Sequence, residues 1–141
     1  MQIFLGVDPA DIPSAQQKKM CVRYGRPVVF TDERVRKAKQ HLVECLKLAM
    51  FGKPCIVCEA YKVNIVFVFK PKNLRKCDQG KPKTTRPDLD NMGKLVLDAI
   101  QEAQIAFEDD GEVSTLTLRK RNADEDEEAH TFISIREDSM E

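Results

Sequence analysis

No stretch of 18 or more apolar residues occurs in this 141-residue sequence. A bilayer crossing needs roughly 20 such residues, so no membrane span is expected. The apolar opening, Met1–Val7, lacks a basic flank and a long hydrophobic run. It reads as a first strand and not as a secretion signal. Tryptophan is absent and there are two Tyr, but seven Phe and a 42% hydrophobic content supply a core. A chain of this length buries roughly 68% of its unfolded surface, so one domain over 1–141 needs no disulfide staple.

A paired set of cysteines is also missing. The five present are Cys21, Cys45, Cys55, Cys58 and Cys77. An odd count at scattered spacings predicts free thiols and a reducing, cytoplasmic location. Cys55 and Cys58 form a C-x-x-C, yet no second such pair and no nearby His pair completes a zinc set. They open a β-like run, where residues three apart face opposite sides of a sheet, so structural thiols are expected. No internal repeat is present.

Net charge is zero, but its distribution is not even. Residues 1–87 hold 18 Lys/Arg against seven Asp/Glu, a balance of +11, and residues 88–141 hold five against 16, a balance of −11. A basic half suits a polyanion, and clustered acids suit a cation.

The periodicity predicts a strand over Ile3–Val7, a loop through Pro9, Pro13 and Ser14–Lys19, and a hairpin of 20–24 and 27–30 about Gly25-Arg26. Thr31 is the expected N-cap of a helix with Asp32 and Glu33 in its first turn. Val35, Ala38, Leu42, Leu46 and Ala49 form its apolar stripe, and Gly52 and Pro54 stop it. The Arg36, Lys37, Lys39 and Lys47 side chains read as its solvated face. Cys55–Phe69 reads as one long strand with a bend or bulge, with Val57, Tyr61, Val63, Ile65, Phe67 and Phe69 on one face. Residues 70–86 form a flexible basic loop with seven Lys/Arg. A helix over about Asn91–Ala103 follows, then a short extended piece at Ile105 and Phe107. Strands over Val113–Arg119 and Thr131–Arg136 are expected to pair as a hairpin. Asp124–Glu128 is expected to be its solvated tip. The fold class is α+β: a small mixed sheet packed with two main helices.

The chemistry lies in Arg86-Pro87-Asp88-Leu89-Asp90-Asn91-Met92-Gly93-Lys94. Two residues apart in extended chain, Asp88 and Asp90 point the same way. Carboxylates ~5 Å apart repel by roughly 3 kcal/mol at an effective dielectric near 20. A hard cation, Mg²⁺ or in its place Mn²⁺, turns that repulsion into coordination. The competing reading is helix capping, and for the two acids alone it wins. Lys94 shifts the balance, because a cation near a helix start opposes the macrodipole where a capping box would carry Glu or Gln. Its bland alternative is an ion pair with Asp90 or Asp98. Asp109-Asp110-Gly111 is by itself a turn signal. Taken with the other three residues, Asp110 can complete a three-carboxylate site. Lys70, Lys72, Arg75, Lys76, Lys81, Lys83 and Arg86 lead straight into this cluster, and a role on phosphates stands beside the reading as a solvated linker.

The segment Arg86–Ile100, with its Asp-x-Asp-Asn-x-x-Lys and Leu-Asp-Ala patterns, followed by Asp109–Val113, resembles the RusA family of Holliday-junction resolvases. The order of elements fits across most of the chain. The resemblance implies a RusA-like, dimeric fold and a Mg²⁺-dependent endonuclease acting on four-way DNA junctions. It implies metal-site acids at Asp88, Asp90 and Asp110, a catalytic lysine at Lys94 and a basic DNA-binding position at Lys120. Met92, Gly93 and Gly111-Glu112 depart from the family pattern, and no ligand is lost. Three other readings share the features: a nuclease for forks or displacement loops, a non-catalytic branched-DNA-binding module, and a small metal-dependent phosphatase.

Overall fold

A computed structural model of the chain describes residues 1–13, 18–23, 25–31 and 33–139, with the backbone alone at 18–23 and 27–31. The strands are β1 (Gln2–Leu5), β2 (Lys18–Arg23), β3 (Arg26–Thr31), β4 (Tyr61–Phe69), β5 (Val113–Asn122) and β6 (His130–Glu137). The helices are α1 (Glu33–Ala49) and α2 (Leu89–Ala103). Four strands form a mixed sheet in the order β1-β6-β4-β5, while β2 and β3 form a separate hairpin. Of the loop expected over Ser14–Lys19, Lys18 and Lys19 instead open β2; residues 14–17, Tyr24 of the hairpin and Asp32 of the first helical turn lie outside the described residues. Thr31 ends β3, one residue before Asp32 and two before the start of α1.

The sheet owes its arrangement to β4, the most apolar strand. Val63, Ile65, Phe67 and Val68 are fully buried, so β4 needs a neighbour on each edge and takes the centre. It pairs antiparallel with β6 and parallel with β5. The expected hairpin of β5 and β6 therefore does not form, because β4 lies between them. A parallel pair cannot be closed by a tight turn, and the β4–β5 connection carries the basic loop and α2. The two helices pack on each other, α1 also touching β1 and α2 touching β5. Leu42, Leu46, Leu95, Val96 and Ile100 join Ile65, Phe67 and Ile133 in one core.

The long strand expected from Cys55 begins only at Tyr61. Its partners explain this: Tyr61 stands opposite Val113, the first residue of β5, and Glu137, the last of β6. Earlier residues have no ladder to join, and Val57 is 91% exposed and off the core face. The expected irregularity is present as a register shift between Tyr61 and Lys62. Cys55 and Cys58 precede the strand as free thiols facing the carbonyls of Gln104 and Ala60. Ile105 and Phe107 are buried but form no strand. Among the described residues, no helix is long and apolar enough to cross a membrane.

Gly93 was a departure at the sequence level and has a packing reason. A Cβ there would lie 2.4 Å from a Leu118 methyl of β5. The bare backbone lets the first turns of α2 sit close against the sheet, offsetting the roughly 1 kcal/mol that glycine costs in a helix.

Candidate functional site

Asp88 holds the N-cap position of α2, with extended backbone (φ −70°, ψ 127°), but its carboxylate makes no capping hydrogen bond. A capping aspartate would contribute about 1 kcal/mol, and that gain is forgone here. The carboxylate instead faces Arg86, whose Nη1 lies 3.5 Å from Oδ2. Asp90 sits in the first turn of α2 and is exposed. Lys94 is exposed one turn on.

The chain returns to α2 through a 3₁₀ turn, Asp110–Glu112. Asp109 is the residue that caps: its Oδ1 accepts the Gly111 N–H at 3.0 Å. Glu112 completes the capping box, its Oε2 accepting the N–H groups of Glu108 and Asp109 at 2.8 and 3.3 Å. The charge of Glu112 is thus spent on backbone amides. The Asp110 N–H donates to Gln101 Oε1 at 3.1 Å, which ties the turn to α2.

Asp110 lies within electrostatic reach of Asp109, Asp98 and Lys94. Hydrogen bonding to the Asp109 carboxyl comes first in pushing the pKa of Asp110 up, followed by burial and by the negative charges of Asp109 and Asp98; Lys94 pulls it down. Asp109 is held below the usual carboxylate range, chiefly by the Gly111 amide. The face of α2 carrying Lys94, Asp98 and Gln101 therefore meets Asp110. Gln101 was not singled out from sequence, although it lies seven residues beyond Lys94, two helical turns along one face. Asp98 and Gln101 also border an open cleft of about 500 Å³ with Lys39, Glu102, Gln104 and Glu108.

Asp88, Asp90 and Asp110 do not form a closed cluster. Among the described residues, no group of three or more His, Cys, Asp or Glu stands in a metal-holding arrangement. Their donor chemistry does suit a hard cation. All three offer exposed carboxylate oxygens, Asp88 is uncommitted to capping, and Asp110 sits among acids whose repulsion a cation would relieve.

The basic loop is not loose. Its middle runs beside β5, the edge strand of the sheet, through hydrogen bonds Gly80 N–H to Ala123 O, Asn122 N–H to Lys81 O and Lys83 N–H to Lys120 O. Pro82 bridges to Arg121, and Asn122 Nδ2 donates to the Asp78 carbonyl at 3.1 Å. Gly80 has φ +71°, and a Cβ there would lie 2.4 Å from Asp124 Oδ1. The edge strand is thereby covered, as exposed edges must be.

Within this frame the basic residues divide. Lys70 pairs with Glu128 and Arg75 with Asp78. The Lys83 ammonium lies 5.0 Å above the Phe69 ring and donates to Thr85 Oγ1 at 2.7 Å. Burial, with a smaller contribution from Lys120, lowers its pKa. Lys120 Nζ donates to the carbonyls of Thr85 and Pro87 at 2.6 and 2.7 Å. Lys72, Lys76 and Lys81 are exposed and make no ion pair among the described residues. A groove of about 510 Å³ runs along the loop, lined in part by Asn73, Arg75, Lys83, Thr84 and Thr85.

The acidic segment 124–128 is only partly the solvated tip expected. Glu127 forms a two-pronged pair with Arg121, at 2.6 and 2.7 Å. That hydrogen bonding brings its pKa down to about 2.

A family model described as endodeoxyribonuclease RusA matches residues 11–136. No curated protein gives a match.

Proposed function

The chain belongs to the RusA endodeoxyribonuclease family, and from that premise we propose that it resolves four-way DNA junctions by paired, Mg²⁺-dependent phosphodiester hydrolysis. The observation that carries the reading is the meeting of the Lys94 face of α2 with Asp110, on a helix whose N-cap aspartate does not cap.

Asp88, Asp90 and Asp110 would hold the divalent ion, Mg²⁺ or alternatively Mn²⁺. When bound, such an ion supplies Lewis acidity at the phosphate and lowers the pKa of water. The protein's own residues do the rest. Gln101 and Glu112 fix the backbone that carries Asp110. Lys94 balances the negative charge that builds on the phosphate or on the departing oxygen. In the net step a water oxygen bonds to phosphorus, the bond to one ester oxygen breaks, and that oxygen leaves with a proton. Lys72, Lys76 and Lys81 are the loop cations free to track the DNA backbone, and Arg86 stands where the backbone would approach Asp88.

A four-way junction has near two-fold symmetry, and two symmetric cuts need two sites. A two-fold homodimer provides them. The free thiols at Cys45, Cys55, Cys58 and Cys77 accord with a reducing, cytoplasmic setting.

Replacement of Asp90 by Asn tests the reading. Cleavage of a labelled junction is expected to disappear while gel-shift binding is retained. Cleavage that persists would remove Asp90 from the site.

A further inference from the structure

The edge strand β5 holds the chain ahead of the carboxylates, first through its backbone and then through the side chain of Lys120. Residues 80–83 are fastened to β5 by backbone hydrogen bonds. From Thr84 to Pro87 there is no backbone hydrogen bond among the described residues, and regular bonding resumes with Met92 N–H to Asp88 O. Among the described residues, two side chains donate hydrogen bonds into this gap. Lys83 reaches only the Thr85 hydroxyl, and Lys120 takes the carbonyls of both Thr85 and Pro87. The position of Lys120 is itself fixed, since its carbonyl accepts from Lys83 and its backbone lies in parallel register with Phe67 of the buried central strand.

We propose that Lys120 is a positioning residue: its ammonium, bound to the Thr85 and Pro87 carbonyls, sets the path by which the chain delivers Asp88 and Asp90 to the site. The proposal rests on the reading of those two aspartates given above. It departs from the reading of Lys120 as a DNA contact. An ammonium has three N–H donors, two are committed to carbonyls at short range, and the residue is only partly exposed. Carbonyl oxygens paired with a charged donor make the stronger kind of hydrogen bond. Their loss would free Thr84–Pro87 and with it the direction of the Asp88 carboxylate.

The test compares wild type with Lys120→Met, which keeps the length and loses the donors, and with Lys120→Arg, which restores them. Three quantities are read: kcat and KM on a labelled four-way junction with Mg²⁺, the salt dependence of junction binding without metal, and amide hydrogen exchange at 84–91. Lys120→Met is expected to lower kcat roughly 10–100-fold, the usual cost of removing a group that orients a ligand. KM and the salt slope should stay near wild type, exchange at 84–91 should rise while β4 stays protected, and Lys120→Arg should recover most of kcat. Should Lys120→Met fail to fold, Lys120→Gln, which can still reach one carbonyl, is expected to fall between the other two. The proposal is overturned if kcat is kept while the salt slope drops by about one, the mark of a lost phosphate contact. It is overturned equally if exchange at 84–91 does not change. A wild-type protein that cuts no junction defeats the functional reading instead, and the exchange comparison then still decides whether Lys120 holds this segment.

Discussion

At the residue scale the decisive facts concern which carboxylates are spent and which are free. Asp109 and Glu112 are consumed by capping, whereas Asp88 occupies a cap position without capping. Sequence alone could not separate these cases, because Asp88 and Asp109 carry the same side chain next to a helical start. Only the direction of the side chain distinguishes them. Lys94 was legible, since a cation in that place works against the helix dipole. Replacing Lys94 by Ala should slow junction cleavage at least 100-fold, the low end of what removing one charge-stabilising donor costs, with Kd for the junction little changed. Equal losses in rate and affinity would make Lys94 a binding residue. Glu127 gives a second residue-scale prediction, about stability. Its pKa falls from 4.5 to about 2 on pairing with Arg121, so the folded-state value is depressed. The stabilisation is fully present above pH 4.5 and is lost as pH falls through 2. That shift corresponds to about 3 kcal/mol before solvent screening, and to on the order of 2 for this partly exposed pair. Urea unfolding of Glu127→Gln should show that deficit at pH 7, with the gap to wild type narrowing steadily from pH 4.5 downward. A gap independent of pH would contradict the assignment.

At the element scale, both helices, the small hairpin and the core of the long strand follow from periodicity and punctuation. The stripe from Val35 to Leu46 and the run from Val63 to Phe69 sit where the spacing puts them. What could not be read was pairing. Two strands separated by a short acidic segment look like a hairpin, yet β4, the most buried strand, enters between them and pairs along both edges. The order of the basic loop was hidden for the same reason: its fastening is to an edge strand forty residues away in sequence. Gly93 shows how an element is placed. Gly93→Val should cost about 1–3 kcal/mol in urea unfolding, the usual range for overpacking. Trimming its neighbour in the double variant Gly93→Val with Leu118→Ala should recover part of the loss beyond additivity. Strict additivity of the two changes would show that Gly93 does not govern how closely α2 approaches β5.

At the scale of the whole molecule, opposite charge is laid out along one path. The basic loop runs along the sheet edge and ends at the acids that start α2, and on the proposed function a polyanion lying on the loop would be led toward the carboxylates. Replacing Lys72, Lys76 and Lys81 by Ala together should reduce the slope of log K against log salt by roughly 2–3 and weaken binding to linear and branched DNA alike. An unchanged slope would take the loop out of the DNA path. The most direct measurement is incubation of the protein with a labelled four-way junction, with and without Mg²⁺, beside linear duplex and fork controls. The account predicts paired, symmetric nicks in the junction that require the metal, with the linear duplex left intact. Junction binding without any cutting in Mg²⁺ or Mn²⁺, or equal cutting of the linear duplex, would contradict it.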